Sequence, residues 1–429
     1  MPDLRAVKGM NDVLPDESGR FQRVENAFRE AARRAGYAEV RTPLVEPTEL
    51  FVRSIGEATD IVGKEMYTFV DKGEDRLTIR PEGTASAVRA YVEHAVHTKE
   101  AISKWWYVGS MFRRERPARG RLRQFTQAGL ECFGDPGPYV DAEMIDLVVS
   151  LLESLGVLDV EVLVNSLGDH GARERYRAAL VTHLTPHKDK LSEESQRRLG
   201  TNPLRILDSK SPGDQELCAS APTIVEFLGD GDRAHFEGLR KTLDALGTKY
   251  RVEPKLVRGL DYYSRTLFEI QGRGGELGAQ NALCGGGRYD GLVKELGGPE
   301  VPSIGFAMGL ERILLALPAE AVATHVDVAV IAADESLRES ACVLLRDLRR
   351  AGVSADGDLR GQSVKSQLRR ADKLGAKVVL FLGGQEAERG VVSMKDMRAR
   401  TQTDVARADV VAEAARIALS PAAPPSGPA

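Results

Sequence analysis

The chain has 429 residues, enough for two or three domains at about 150 residues each. Its 59 Lys+Arg against 63 Asp+Glu leave a formal charge of −4, which excludes bulk electrostatic attraction to nucleic acid, so any polyanion must be met by local basic surface. With 42% hydrophobic and 28% charged residues and no apolar run near the roughly 20 residues of a bilayer span, the composition predicts a soluble globular protein with no membrane partner.

The opening "MPDLRAVKGMNDVLPDE" has no apolar core of a secretory leader, so a cytoplasmic protein is expected. Cys132, Cys218, Cys284 and Cys342 are scattered without a C-x-x-C pair, which argues for reduced thiols over structural zinc or disulfides. "ENAFREAARRAGYAEVRTPLVEP" reads as a helix, a turn at Gly36 and an extended segment. "DRLTIRPEGTASAVRAYVEHAV" predicts a short strand, a turn and an amphipathic helix. "KWWYVGSMFRRE" and "LRQFTQAGLECFG" predict two strands of a hairpin with a long connection. From about 169 to 250 the pattern is helical and charged, as in a separate insertion. Strand-like text returns at "KLVRGLDYYSRTLFEIQG" and "LCGGGRYDGLV", and "PSIGFAMGLERILLAL" is a strand running into a helix.

A composition break near "PAEAVATH" divides domains at about 325/326. Beyond it, "VDVAVIAA", "ESLRESACVLLRDLRRAG" and "KVVLFLGG" alternate strand and helix, which predicts a small α/β domain, 326–420, with a largely parallel sheet. This domain holds 16 Lys+Arg against 14 Asp+Glu, a weak basic excess that suits either RNA binding or a purely structural, dimerising role. The last residues, "PAAPPSGPA", predict a disordered tail over 421–429.

Six of the eleven residues from Arg113 to Arg123 are arginine. Side chains alternate along a strand, so Arg123, Phe125, Gln127, Gly129 and Glu131 share one face, and Arg113 and Glu115 share a face on the preceding strand. Guanidiniums fork onto phosphate oxygens and a ring stacks on a base, so this face suits a nucleoside polyphosphate. A solvated, charge-rich hairpin explains the arginines alone; the patterned strand favours the pocket.

These residues, together with "IRPEGTAS", "LVRGLDYYSRTLFEI", "GGGRYDGLV", "SIGFAMGLERI", "YAEVRTPLVEP" and "VKGMNDVLP", resemble the motifs of class II aminoacyl-tRNA synthetases in the form seen in histidyl-tRNA synthetases. "GQSVKSQLRRADKLGAKVVLFLGGQEAERGVVSMKDM" looks like the anticodon-binding domain of that family. The resemblance covers nearly the whole chain, and "VRGLDYYSRT" is its most specific part. It implies an α+β fold: an antiparallel sheet flanked by helices over 1–325, with the helical insertion, and the C-terminal domain. It also implies a homodimer, ATP with Mg2+, L-histidine and tRNA(His). The implied reaction forms histidyl-adenylate and diphosphate, then moves histidine to the tRNA.

By the same resemblance Arg113 contacts the α-phosphate, Glu115 the adenine amino group, Arg121 the outer phosphates and Arg312 the far side of ATP, while Phe125 stacks on adenine. Arg258 bridges the histidine carboxylate and the α-phosphate as a catalytic cation. Glu82, Gly83 and Thr84 of "PEGT", with Gln127, take the α-ammonium. Glu131 and Tyr263 take the imidazole nitrogens, and Tyr262 and the loop Gly285–Tyr289 shape the pocket. The bland alternatives are a helix-surface cation at Arg312, an ordinary ion-pair partner at Arg258 and core aromatics at Tyr262 and Tyr263. Arg258 and Tyr263 also lie on opposite faces of an ideal strand, which asks for a bulge at Gly259. One departure stands at Ala118, where many members carry Gln, and it leaves the tRNA acceptor-end contact to Arg119 or the backbone. A polar imidazole site rejects apolar isosteres, so no editing domain is expected. Two rivals remain: a regulatory subunit of ATP phosphoribosyltransferase, which shares the catalytic fold, and a synthetase for another amino acid.

Overall fold

The computed structural model describes residues 3–57, 59–274, 277, 281–318 and 326–420. The chain divides into two units, Met1–Ala319 and Glu320–Ala429. The expected tail, 421–429, lies outside the described residues.

Pro at the first turn, acidic Asp16 and Glu17 behind it and Arg33 and Arg34 at the far end suit helix α1, Pro15–Arg34, to its own dipole. Gly36, at φ +79°, then turns the chain out. Short strands β1 (Ala38–Glu39) and β2 (Val45–Pro47) lead to helix α2 (Thr48–Ile55). Strands β3 (Tyr67–Val70) and β4 (Arg76–Ile79) join β2 in a small three-stranded sheet. Helix α3 (Thr84–Glu93) follows.

Next come β5 (Ser103–Phe112), β6 (Gln124–Phe133), α4 (Pro138–Ser154) and β7 (Val160–Ser166). The helical segment holds α5 (His170–Leu184), α6 (Glu193–Thr201), α7 (Pro212–Ala219) and α8 (Asp230–Leu246). Strands β8 (Arg251–Val252), β9 (Ser264–Gly272) and β10 (Ala282–Arg288) return to the sheet. Helix α9 (Leu292–Glu295), β11 (Ser303–Gly309) and α10 (Leu310–Ala316) close the first unit.

Its main sheet has eight strands in the order β1-β5-β6-β11-β10-β9-β7-β8. Pairing is antiparallel except at the two short edges, β1 with β5 and β7 with β8. The antiparallel core that the resemblance implies is therefore observed. Alternation sorts its two faces. Ala128, Leu130 and Cys132 of β6 pack with Val24 and Phe28 of α1, Ile145 and Val148 of α4, and Leu239 and Leu243 of α8. Each fully buried Leu, Ile or Phe of this layer contributes roughly 1.5–3 kcal/mol. Phe125, Gln127, Gly129 and Glu131 point the other way; Phe125 and Gln127 line a cleft, and Glu131 is buried behind it.

Two segments differ from the sequence reading. β5 ends at Phe112, so Arg113 and Glu115 lie beyond the strand rather than on one of its faces. Backbone pairing changes partners there: Arg114 N donates to Glu65 O, and Arg123 N to Gly9 O. "KLVRGLDYY" is not strand either; residues 253–263 are irregular and β9 begins at Ser264. Arg258 and Tyr263 thus stand on a loop, and the parity conflict between them disappears without a bulge.

In the second unit β12 (Val328–Ala332), α11 (Arg338–Arg350), β13 (Ala355–Asp356), α12 (Val364–Lys373) and β14 (Val378–Leu382) form the expected alternation. The sheet, β13-β12-β14-β15-β16, is mixed rather than largely parallel. After the short helix α13 (Gly384–Glu388), strands β15 (Val391–Asp396) and β16 (Thr401–Ala406) form an antiparallel hairpin, and α14 (Val410–Leu419) packs back. β16 is largely exposed and polar, so it carries no apolar alternation that would announce a strand. Among the described residues no helix is long and apolar enough to cross a membrane. Cys132, Cys218 and Cys284 are buried free thiols, while Cys342 is exposed.

Candidate active site

Antiparallel pairing sets Met111 opposite Phe125, Gly109 opposite Gln127, Tyr107 opposite Gly129 and Trp105 opposite Glu131. The polar face of β6 is thereby laid out in a line under the arginine loop. Glu82, Thr84, Arg113, Glu115, Arg121, Phe125, Gln127, Arg258, Tyr262, Tyr263 and Arg312 all line one cleft.

At one end the cleft is cationic. Arg113 donates from Nε to Pro81 O at 2.9 Å, and its guanidinium stands 5.4 Å from the Phe125 ring centre. Arg121 and Glu115 form an ion pair of 2.8 Å. Arg312 is fixed by two backbone carbonyls, Gly120 O and Ala282 O, both at 2.9 Å. Burial, then repulsion from Arg121 and Arg258, holds its guanidinium below the ordinary arginine range. Four guanidiniums therefore share one cleft, and an anion there relieves the repulsion among them.

Arg258 crosses over β10 to pair with Glu269 of β9. The same carboxylate accepts from Gln271 Nε2 at 2.7 Å, and Gln271 Oε1 accepts from Asn281 Nδ2 at 3.1 Å. A Cβ at Gly285 would lie 2.0 Å from the Arg258 guanidinium, so only glycine admits it.

The other end is built of hydroxyls and carboxylates. Glu82 accepts from the amides of Thr84 and Ala85, each at 2.7 Å, which uses the exposed N–H groups at the start of α3. Burial still pushes its carboxyl upward, against the pull of those amides. Gln127 Oε1 is buried with no hydrogen-bond partner. An orphaned acceptor costs about 1–3 kcal/mol unless a ligand supplies a donor.

Glu131 is fully buried and is not among the cleft-lining residues. It lies one layer behind, where it accepts from Thr84 Oγ1 at 2.8 Å, Tyr107 OH at 3.1 Å and Tyr289 OH. Burial pushes it up to about 8, against the pull of those hydroxyls. Gly83 and Tyr289 likewise stand behind the wall rather than in it. Tyr262 packs on Tyr263, with ring centres 4.7 Å apart, and edge-on to Tyr289 at 5.7 Å. The Tyr263 hydroxyl is pushed up to about 12 by burial, against the pull of Arg258.

Two residues of this site were not legible as such. Tyr107 fills the gap that glycine leaves: a Cβ at Gly83 or Gly129 would lie 2.2 or 2.4 Å from its ring. The hairpin register, Tyr107 opposite Gly129, is the signal that finds it. Glu269 sits in the otherwise apolar run "LFEI", and that misplaced charge is its only mark.

The histidyl-tRNA synthetase family model matches residues 9–313, and the anticodon binding domain model matches residues 327–416. The first of these spans well over half of the chain. The chain belongs to the histidyl-tRNA synthetase family. The histidine–tRNA ligase of Sorangium cellulosum is 55% identical over 425 residues, 99% of each chain. That of Picosynechococcus sp. is 46% identical over 96% of each. Apo histidyl-tRNA synthetase of S. aureus superposes with a TM-score of 0.80 at 36% identity, covering 96% of this chain and 99% of the other. Within the synthetase fold, Ala118 makes two backbone hydrogen bonds with Arg121, each 2.9 Å, that close the tip of the arginine loop. Its methyl adds no polar group to that tip.

Proposed function

We propose that the cleft binds ATP and histidine side by side, with each residue in the role set out here. The chain is an ATP-dependent histidine–tRNA ligase. The histidine carboxylate attacks the α-phosphorus, the bond to the bridging oxygen breaks, and diphosphate leaves. The adenylate then passes its histidyl group to the terminal ribose of tRNA(His), releasing AMP.

The orphaned Gln127 Oε1 beside four guanidiniums is the observation that carries the site reading. It fits the α-ammonium, which Glu82 and Thr84 also face from the cleft wall. When ionised, the form that a bound imidazole N–H favours, the Glu131 carboxylate has about four acceptor positions, and three hydroxyls occupy three of them, which leaves one for that N–H. Tyr263 serves the other ring nitrogen. Arg113 and Arg258 neutralise charge that develops at the α-phosphorus, Arg121 holds the outer phosphates, Arg312 holds the far side of ATP, and Phe125 stacks on adenine. Glu115 reads the adenine amino group once Arg121 turns to phosphate.

Among the described residues no three His, Cys, Asp or Glu side chains converge as a metal cage. In this reading Mg2+ enters with ATP as part of the substrate. Glu311, whose Oε2 has no partner while its Oε1 accepts from Thr126 N at 2.8 Å, is a cleft carboxylate that would meet it. Bound there, the ion would offset phosphate charge.

The C-terminal unit reads the anticodon. A homodimer is supported by the apolar side chains Leu44, Val45, Phe69 and Val70, all exposed on or beside the small sheet. A monomeric mass by light scattering at micromolar concentration would remove that reading. Four unpaired cysteines suit a reducing cytoplasm.

Histidine-dependent ATP–diphosphate exchange tests the whole assignment. No exchange would favour the regulatory subunit, and exchange driven by glycine or threonine but not histidine would favour another specificity. Phe125→Ala is expected to raise the KM for ATP about tenfold, since base–aromatic stacking is worth about 1–3 kcal/mol. The KM for histidine should stay within about twofold on the same reasoning of uniform ATP binding.

A further inference from the structure

The loop 253–263 carries Arg258, Tyr262 and Tyr263 but has no strand or helix of its own. Its conformation must be imposed by neighbours. Two of these belong to the helical segment and do not line the ATP cleft. Arg173, in the first turn of α5, donates from Nη1 to Asp261 O at 2.7 Å and Tyr263 O at 3.2 Å. Asn202, just past α6, donates from Nδ2 to Asp261 Oδ1 at 2.8 Å. On the opposite side Asp261 N donates to Ile55 O at 3.2 Å. Gly56 packs on the same carboxylate at φ +98°, where a Cβ would lie 2.7 Å from Asp261 Oδ2. Asp261 is thus gripped from three elements, and it precedes the two tyrosines directly. Arg198 of α6 ties the neighbouring segment too, through a 2.9 Å pair with Asp60.

We propose that Asn202 and Arg173 are positioning residues for histidine, and that the helical segment holds the histidine-facing loop in its binding conformation through Asp261. This rests on the reading of Tyr263 as a ring partner. The consequence is selective. A loosened loop weakens histidine binding, while Arg113, Arg121 and Arg312 stand outside the loop and Arg258 keeps its own anchor in Glu269.

Histidine-dependent exchange with the full chain tests this. Asn202→Ala should raise the KM for histidine about tenfold, the factor expected for one lost hydrogen bond to a charged group, with the KM for ATP unchanged. Asn202→Asp sets two carboxylates together and should be worse. The double variant Asn202→Asp, Asp261→Asn restores an amide–carboxylate pair with reversed polarity and should recover most of the loss. Equal rises in both KM values, or no recovery in the double variant, would overturn the positioning role. Tyr263→Phe separates the two readings. An unchanged histidine KM there defeats the loop's part in histidine binding. A raised one with Asn202→Ala silent defeats only the role of the helical segment.

Discussion

Arg258→Ala is expected to lower histidine-dependent ATP–diphosphate exchange by about 10²–10³-fold, the usual effect of removing one preorganised donor from a transition state. The guanidinium is held by Glu269 and lies against Gly285, so it spends little reorganisation on turning toward the α-phosphorus. Loss of kcat should dominate, because the charge it meets grows only as the carboxylate attacks. Removing Arg258 also leaves Glu269 with Gln271 Nε2 as a remaining donor. Glu269→Gln is therefore the control: it keeps Arg258, weakens its anchor and should cost far less. Near-normal exchange in Arg258→Ala, with the thermal midpoint unchanged, would reduce this residue to an ordinary ion-pair partner.

Glu131→Gln should raise the KM for histidine about 10–100-fold while the KM for ATP moves little, since a buried polar partner left mismatched costs about 1–3 kcal/mol. Equal changes for both substrates would defeat the ring-reading role. The same substitution has a signature in the unliganded chain. Burial raises the folded-state value of Glu131 to about 8, above its ordinary carboxylate value of 4.5. Between those two values the folded chain binds more protons than the unfolded one, so this group's contribution to stability falls as pH rises. It is fully present below about 4.5 and is lost through about 8. A glutamine cannot ionise. Its thermal midpoint should fall less steeply than that of the wild type between pH 5 and pH 8. Parallel curves would mean that Glu131 titrates like an exposed carboxylate.

Much of this was written into local sequence. Apolar and polar residues alternate in β6, so the division between Leu130 on the core side and Gln127 on the cleft side could be read directly. The hairpin, α1, the helical insertion and the strand-to-helix run that carries Arg312 likewise follow from period and turn residues. Where local pattern gave no signal, the reading failed. The segment around Asp261 looks strand-like because Leu260, Tyr262 and Tyr263 are apolar or aromatic, yet long-range bonds to Arg173, Asn202 and Ile55 hold it as a loop. β16 is a strand by pairing with β15 alone.

The chain by itself determined which residue types are available and on which side of each strand they fall, because a two-residue repeat leaves no choice once one face is buried. It also determined its family, since long specific runs such as "VRGLDYYSRT" admit few other readings. Only the tertiary structure decided that Glu131 lies behind a wall of hydroxyls, that Tyr107 occupies the space of two glycines, and that Asp261 is held by the helical segment. Those facts depend on which strands and helices become neighbours across tens of residues. Packing and hydrogen-bond satisfaction settle that globally, and no window of sequence contains it.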